Sequence, residues 1–428
     1  MRQSDLPEPP RQRSRSRSIC QLTVALIVSA LSTVAIADDE NSVGPKEVIV
    51  QACTSLEQPD RIETWMASAA QSLPVRKPVI DVKTLGALPD DDIDDTDALE
   101  KIPAGHTIHF PSGTFLVSRS LRLKPGTTYT GSGTLKRAKP GAGFIMIAKT
   151  VTDVAIAGLT FSGGGIIIGG AKAVRVERNR FLDIVDQQAK FGQEAGIFID
   201  GTLTDSLIVG NQFSRIGFSD GKRTTQHGSG ILAYHLQNVT IASNRFSNIH
   251  QGISVIFEGK RHTGNGLRVI DNVVVNPLRM GIEVGGKGMT SALIEGNCVR
   301  AKRIGDEDVG LSIVADGEGT IIRRNLVIQV QPENAECAGI GIEVAGRKAA
   351  VARNVVAGHW CAAIATYNER SWSTSITGNQ VCGHRGDHDA IDLVGGIGKS
   401  LVEGNELQQD CPDSLLVPLQ QSAAPGMQ

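Results

Sequence analysis

The chain has 428 residues, enough for two or three average domains, and a formal net charge of −2 at pH 7. This near-neutral balance gives no support to a nucleic-acid partner, because nucleic-acid-binding surfaces are basic. Aromatic residues make up only 4% of the chain, which argues against a broad stacking platform, whereas the 48 glycines indicate many tight turns.

The N-terminal segment is typical of an export signal. Arginines between Arg11 and Arg17 precede an apolar run over 19–37, which ends in the A-x-A cleavage pattern Ala35-Ile-Ala. Residues 1–37 are therefore predicted to be a signal peptide, and the mature protein to be periplasmic or secreted. An uncleaved membrane anchor is the alternative. No other apolar run reaches the ~18–20 residues of a membrane span, so no membrane contact is predicted after signal removal.

Residues 38–78 are predicted to form a linker with a short helix over 61–73. Four motifs then follow in order: D-V-K-T-L-G-A from Asp81, D-D-T-D-A-L from Asp94, I-H-F-P-S-G-T-F-L-V from Ile108 and G-S-G-T from Gly131. The acidic run is interpreted as the start of a helix with Asp95 as its N-cap, not as a metal site.

These motifs resemble the N-terminal cap and first coils of the pectate-lyase-like superfamily. That group includes pectate lyases, polygalacturonases, mannuronan C5-epimerases and phage tailspikes. Together with the repeats that follow, the resemblance covers residues 79–410. It implies an all-β fold, a right-handed parallel β-helix (a solenoid) with an N-terminal cap, and a polysaccharide partner. The scaffold hosts lyases, hydrolases, epimerases and non-enzymes, so the resemblance does not specify the chemistry.

A repeat of 25 to 33 residues runs through the rest of the chain, and such a period is typical of a solenoid. Each copy contains an apolar strand, an asparagine and a second apolar strand. The asparagines are Asn179, Asn211, Asn244, Asn272, Asn297, Asn325, Asn354, Asn379 and Asn405. Stacked asparagine amides can hydrogen-bond one another, so these residues are predicted to form a structural ladder. The β-helix is predicted to span 79–412, with a C-terminal tail over 413–428.

A second phrase, Gly or Ala followed by alternating apolar residues, marks a half-buried strand in each coil. Its copies begin at Gly196, Gly230, Gly252, Gly281, Gly310, Gly339, Ala363 and Ala390. Relative to this first residue, the positions one and three later are predicted to face inward. The positions two before, two after and four after are predicted to lie at the solvent-facing edge.

Six cysteines remain after Cys20, which belongs to the predicted signal. Cys337 and Cys361 precede successive copies of the second phrase by two residues. Stacked strands lie about 4.8 Å apart, a separation that a disulfide tolerates. A Cys337–Cys361 disulfide is therefore predicted, with Cys382–Cys411 as a second candidate pair. The cysteine spacings do not suggest zinc.

The catalytic signatures of the resembled families are absent. The sequence lacks the N-T-D, D-D, G-H-G and R-I-K series of polygalacturonases and the D-P-H of mannuronan epimerases. Calcium (Ca²⁺) is a candidate ion, but no calcium-binding repeat is present, so neither a cofactor nor a metal site is predicted. Candidate residues must therefore come from the alignment of the coils.

The first candidate cluster occupies the second to fifth coils, where the longest insertions flank the solvent-facing edge. Its predicted catalytic residues are His250, Arg279, Glu283, Asp308, His227 and Tyr234, and its predicted substrate-binding residues are Asp200, Lys222 and Arg223. In uronate chemistry, Arg279 would neutralise the sugar carboxylate while His250, Tyr234 or His227 removed the C5 proton. A hydrolase would instead use two carboxylates about 5–9 Å apart, which Asp200, Glu283 and Asp308 could supply.

The second candidate cluster is C-terminal. Its predicted substrate-binding residues are Trp360, Tyr367, Arg385, His388 and Asp392. Aromatic rings beside charged groups suit a sugar subsite. The same composition suits a cap over the open end of the solenoid.

The sequence therefore predicts an exported β-helix protein that acts on or binds an acidic polysaccharide. A uronate lyase or C5-epimerase is the leading hypothesis. The alternatives are a non-catalytic carbohydrate-binding or structural scaffold in the periplasm or at the surface, and a glycoside hydrolase with paired carboxylates. A metal-delivery scaffold is a further hypothesis, which the scattered positions of the nine histidines do not favour.

Overall fold

The computed structural model describes residues 76, 78–139, 143–185, 194–219, 222–223, 228–257, 264–302, 311–330, 337, 339–366, 373–385, 388–393, 400–412 and 415. The predicted signal peptide, nearly all of the 38–78 linker and nearly all of the tail lie outside these residues, and those assignments stay predictions. No helix in the described ranges is long and apolar enough to span a membrane.

The chain is a right-handed parallel β-helix, as the sequence predicts. Each strand pairs in parallel with its equivalents in the neighbouring coils, and the coils build three sheets. Sheet 1 precedes the asparagine of each repeat and contains Val79–Asp81, Thr107–Phe110, Thr128–Gly131, Thr152–Ala157, Ala171–Glu177, Ala195–Val209, Ser229–Ala242, Gly264–Asn265, Arg268–Ile270, Leu293–Glu295, Ile321–Arg323, Ala350–Ala352, Ser375–Thr377 and Leu401–Glu403.

Sheets 2 and 3 follow the asparagine, and the longest strands bend from one sheet into the next. Sheet 2 contains Thr114–Val117, Thr134–Arg137, Thr160–Ser162, Arg180–Ile184, Gln212–Ile216, Arg245–Phe257, Val273–Thr290, Cys298–Lys302, Leu326–Val330, Val355–Ala357, Gln380–Cys382 and Glu406–Gln408. Sheet 3 contains Leu121–Arg122, Met146–Lys149, Ile166–Gly169, Leu311–Glu318, Ile340–Val344, Ala362–Thr366 and Ile391–Leu393, with parts of Ala195–Val209, Ser229–Ala242, Arg245–Phe257 and Val273–Thr290.

Two short helices lie at the N-terminal end, a 3-10 helix at Val82–Leu85 and an α-helix at Thr96–Leu99. Asp95 occupies the N-cap position of the α-helix, as predicted, but its side chain makes no capping hydrogen bond, and Asp94 accepts the backbone N–H of Thr96. The Asp95 carboxylate instead accepts backbone N–H groups from Leu88 and Leu116, at 2.9 and 3.0 Å. The carboxylates of the acidic run therefore hydrogen-bond the backbone at Leu88, Thr96 and Leu116 and hold these segments in contact.

The core is a column of aromatic and aliphatic side chains inside the coils. Phe161, Phe181, Phe213 and Phe246 stack face to face, with ring centroids 5.0, 4.8 and 4.7 Å apart. The phrase-initial glycines pass directly beside these rings, and a Cβ on Gly230 would lie 2.4 Å from Cδ1 of Phe246. Glycine starts the phrase in these coils because the aromatic stack already fills the space of a side chain.

The predicted asparagine ladder is present from Asn179 to Asn405. The Nδ2 group of each asparagine donates to Oδ1 of the next one along the axis, at 2.9–3.1 Å. Each Nδ2 also donates to a backbone carbonyl of an earlier coil. The asparagines from Asn179 to Asn379 are buried, and their amide groups are used in hydrogen bonds between coils.

Both predicted disulfides are formed. Cys337 bonds Cys361 with a Cα–Cα separation of 4.8 Å, and Cys382 bonds Cys411 at 4.9 Å. Cys298 is also disulfide-bonded. Disulfides persist in oxidising compartments, so these bonds accord with the predicted export.

Replacing both Cys337 and Cys361 by serine is expected to lower the free energy of unfolding by about 3 kcal/mol, because a bond that closes a loop of this length restricts the unfolded chain. The two residues are 24 apart in sequence. Chemical denaturation of the oxidised wild type and the double variant measures the difference. Equal denaturation midpoints would contradict the prediction.

Candidate functional site

The outward face of sheet 3 has a different register from the predicted one in two coils. Ile282 pairs with Ile313, and Ile313 pairs with Ile342. Ser312 and Gly341 therefore take the place of Gly281 in their coils, and the predicted starts at 310 and 339 were wrong by two residues. A slip of two residues keeps the inward and outward alternation of a strand, so the apolar pattern cannot detect it.

The corrected register brings three carboxylates onto one outward face. Glu283, Val314 and Glu343 occupy the same position of three successive coils, and Asp316 lies two residues beyond Val314 on the same side of its strand. With coils about 4.8 Å apart, the α-carbons of Glu283 and Glu343 are separated by about 10 Å. We call Glu283, Asp316 and Glu343 the carboxylate site.

The three members of the carboxylate site differ in environment. Glu343 is 9% exposed, whereas Glu283 and Asp316 are half-buried. Burial raises the pKa of Glu343 above its ordinary value, and the nearby negative charges of Asp316 and Glu283 raise it further. The hydroxyl of the buried Ser254 donates to Oε2 of Glu283 at 2.6 Å, which orients that carboxylate. The site therefore combines one carboxyl with a raised pKa and two acidic neighbours.

Two predicted catalytic residues differ sharply in their exposure. His250 is completely buried, so its expected place at the solvent-facing edge was wrong. It lies where the strand Arg245–Phe257 bends from sheet 2 into sheet 3, and a residue at such a bend can point inward. Arg279 follows the equivalent bend one coil later and is exposed. The structure does not place the two side chains on a shared open face.

Tyr234 lies on the outward face of sheet 3, half-buried against Phe198, with ring centroids 5.6 Å apart in an edge-to-face arrangement. Asp200 is exposed, and its carboxylate is 3.3 Å from Nζ of Lys149. Lys222–Arg223 forms a short antiparallel hairpin with Phe218–Ser219. His227 and Asp308 lie outside the described residues, and their roles stay predictions.

In the second candidate cluster, the expected surface position of Trp360 was wrong. Trp360 is completely buried, and its Nε1 donates to the carbonyl of Ala357 at 3.0 Å, so its ring is part of the core and does not face a ligand. His388 is exposed and lies 3.2 Å from Asp392, which belongs to the same outward column as Glu343, two coils further on. Arg385 is exposed, and Tyr367 lies outside the described residues.

The sequence prediction included Glu283 but missed Ser254, Asp316 and Glu343 as site residues. Aligning the coils on Ile313 and Ile342 would have placed the two carboxylates beside Glu283. In the described ranges, no group of three His, Cys, Asp or Glu side chains is arranged to hold a metal ion.

A family model described as rhamnogalacturonase A/epimerase, pectate lyase-like, matches residues 79–301, just over half of the chain. The chain belongs to this family. The match includes Ser254 and Glu283 and ends before Asp316 and Glu343.

Among solved structures, the chain is similar to PfbA, a surface adhesin of Streptococcus pneumoniae, with a TM-score of 0.52 and 14% identity over 77% of this chain and 93% of that one. It is also similar to an exopolygalacturonase from Thermotoga maritima, with a TM-score of 0.49 and 13% identity over 82% of this chain and 96% of that one. At these identities the likeness concerns the fold alone.

A pre-neck appendage protein of Bacillus phage B103 is 44% identical over 55 residues. The match covers 13% of this chain and 6% of the phage protein. It therefore identifies a short shared segment and says nothing about the activity of the whole chain.

Proposed function

We propose that this protein hydrolyses a glycosidic bond of a polysaccharide, with Glu343 as the general acid. The observation that carries the proposal is the carboxylate site itself. A nearly buried carboxyl with a raised pKa lies on the same outward face as Glu283 and Asp316. Glycoside hydrolysis uses a general acid whose pKa is raised beside a second carboxyl.

In the proposed reaction, the Glu343 proton goes to the leaving glycosidic oxygen as its bond to the anomeric carbon breaks. Glu283 or Asp316 removes a proton from the water that attacks the anomeric carbon, or attacks that carbon itself before water releases the product. The Ser254 hydroxyl holds Glu283 in one orientation. Water is thereby added across the bond. Where Glu283 or Asp316 acts as a base, it then releases its proton to solvent and Glu343 takes up a proton from solvent; in the two-step route, Glu343 regains its proton from the water of the second step.

The carboxylates favour hydrolysis over the β-elimination or epimerisation that the sequence suggested first. Removal of a C5 proton needs a base that reaches the substrate, and His250 is completely buried. Tyr234 is packed against Phe198, three coils from Asp316 along the helix axis. The family description names both a hydrolase and an epimerase, and the acidic side chains support the first.

The proposed place of action is outside the cytoplasm. The disulfides Cys337–Cys361 and Cys382–Cys411 support an oxidising compartment. The basic and apolar N-terminal segment over 1–37 supports export through a signal peptide. A polysaccharide of a cell wall or of an extracellular matrix is then the partner.

Product analysis tests the proposal. The mature protein is incubated with pectate, alginate, rhamnogalacturonan and neutral glucans, and both new reducing ends and unsaturated uronates are measured. We expect reducing ends without the ultraviolet absorbance of an unsaturated product. Unsaturated ends would instead support a lyase, and tight binding without any product would support the scaffold hypothesis.

A further inference from the structure

A strip of apolar side chains leads along the outward face of sheet 3 toward the carboxylate site. Ile147, Ile167, Phe198 and Leu232 occupy successive coils at the position that Glu283 and Glu343 occupy later in the chain. This register is continuous through the paired strands. The half-exposed side chains of this column run from Ile147 to Phe198, and Tyr234 lies in the next coil, so with a coil rise of about 4.8 Å the accessible surface extends over about 14 Å. Leu232 and Ser254 are covered, at 2% and 0% exposure, and separate this surface from Glu283. We call these four residues, with Tyr234, the apolar strip.

The rings of the apolar strip are held in place by each other. Phe144 stacks on Phe198 with ring centroids 5.8 Å apart, and Tyr234 meets Phe198 edge to face at 5.6 Å. Phe198, Tyr234 and the two isoleucines remain half-exposed, whereas Leu232 is almost fully covered. Aromatic rings that are fixed by packing on a flat sheet can contact the C–H face of a sugar. Little side-chain entropy is lost when the sugar binds, because the rings are already ordered.

The charge of this face is the second observation. Two outward columns run along sheet 3, the column of Phe198 and Glu283 and the column two residues further along each strand. From Ile147 to Asp392, the described residues of these columns include five carboxylates, Asp200, Glu283, Asp316, Glu343 and Asp392, and one cation, Lys149. Arg122 occupies the first column one coil before Ile147, at the end of the strip far from the carboxylate site. Arg279 belongs to the strand Val273–Thr290 and lies at its bend, outside the two columns, and Nζ of Lys149 is 3.3 Å from the carboxylate of Asp200.

We infer that the sugar units bound along the apolar strip are uncharged and carry methyl, ester or other apolar groups, rather than free carboxylates. The inference rests on the proposed function for the presence of a polysaccharide at this face. A uronate placed here would lose hydration against apolar side chains and would face like charges at the carboxylate site. An esterified or deoxy sugar would bury apolar area and meet no repulsion.

The inference is tested with two matched pairs of polymers that differ in charge. Pectate is compared with its methyl ester, and alginate with its propylene glycol ester. The protein is the full-length mature Glu343→Gln variant, which binds without rapid turnover, and affinity is measured at low and at moderate salt. We expect at least one ester to bind about tenfold more tightly than its acid, with a smaller difference in salt. Equal or tighter binding of both acids would overturn the inference.

Substitutions in the apolar strip test whether the preference for esters arises at this surface. Phe198→Ala is expected to weaken binding of the preferred ester by about tenfold, since it removes a large apolar contact. Leu407→Ala is the matched control, because Leu407 is 60% exposed on sheet 2 and lies outside sheet 3. Phe198→Lys is expected to increase binding of the acid polymer, a gain that a misfolded variant cannot produce. Unchanged binding in both Phe198 variants would contradict the assigned surface.

The outcome separates this inference from the proposed hydrolysis. If the wild type releases no reducing ends while the preference for esters and the Phe198 effect remain, the hydrolase proposal fails and the inference holds. If the wild type hydrolyses pectate faster than its methyl ester and binds it more tightly, the hydrolase proposal holds and the inference fails.

Discussion

Glu343→Gln is expected to lower kcat/KM for the hydrolysed polysaccharide by about 10²–10⁴-fold, the range that a positioned general acid supplies. Glutamine keeps the shape of the side chain but cannot give a proton to the leaving oxygen. Steady-state release of reducing ends measures the loss. Glu403→Gln is a suitable control, because it removes an exposed carboxylate on sheet 1 and should leave the rate unchanged.

The pH dependence of the hydrolysis rate, measured for the wild type and for Glu343→Gln, is an independent test. In the wild type, activity requires protonated Glu343, so the rate should fall as pH rises through the raised pKa of that carboxyl. In Glu343→Gln the residual activity should no longer show this decrease at high pH, which we call the alkaline limb. An unchanged limb would show that another group titrates there and would remove Glu343 from the proposed role.

Stability provides the check against a merely structural effect. A carboxyl whose pKa is raised by folding contributes stability at low pH that is lost as pH rises through the folded-state pKa. Glu343 has such a raised pKa. Above that pKa, Glu343→Gln removes the unfavourable ionisation and should therefore be at least as stable as the wild type. A loss of activity together with an unchanged or higher Tm would assign the effect to chemistry.

Glu283→Gln and Asp316→Asn then identify the second carboxyl. The group that activates water or attacks the anomeric carbon should reduce the rate by a factor similar to that of Glu343→Gln. The other group, which contributes only negative charge beside Glu343, should shift the alkaline limb to lower pH with a modest effect on the maximal rate. Small effects from both substitutions would contradict a two-carboxyl mechanism.

The fold could be read from the sequence because its signals recur in every coil. The asparagine of each repeat marks the same corner between sheets 1 and 2, and the disulfide at Cys337 and Cys361 follows from the spacing of stacked strands. Each coil repeats the same local physics, so an error in one copy is corrected by the others.

The candidate site could not be read in the same way, because function on a solenoid depends on lateral neighbours. Glu343 became a neighbour of Asp316 only when the register of two coils was known, and alternation alone allows a two-residue slip. His250 and Trp360 illustrate a second difficulty. Their polarity or aromatic character suggested a surface role, but both lie beside bends of the chain where side chains turn inward. The inward or outward direction of a side chain can be predicted from the sequence within a straight strand, but not at the ends of the strand.

Asn325→Ala is expected to produce the largest loss of stability, about 3–5 kcal/mol in the free energy of unfolding, because it leaves several buried polar groups unsatisfied at once. The Nδ2 group of Asn325 donates to the carbonyls of Ile294 and Arg323 and to Oδ1 of Asn354, at 2.9–3.1 Å. Its Oδ1 accepts both the backbone N–H and Nδ2 of Asn297, at 2.9 Å.

The terminal Asn405 is the matched control for this substitution. Its Nδ2 donates to the carbonyl of Ile376 and its Oδ1 accepts two N–H groups of Asn379, but it is half-exposed, so water can replace the lost partners. We expect Asn405→Ala to cost about 1 kcal/mol by chemical denaturation. Equal costs at the two positions would mean that each asparagine acts only through its own turn. A larger cost at Asn325 would mean that the ladder stabilises the coils by excluding water from a continuous line of amides.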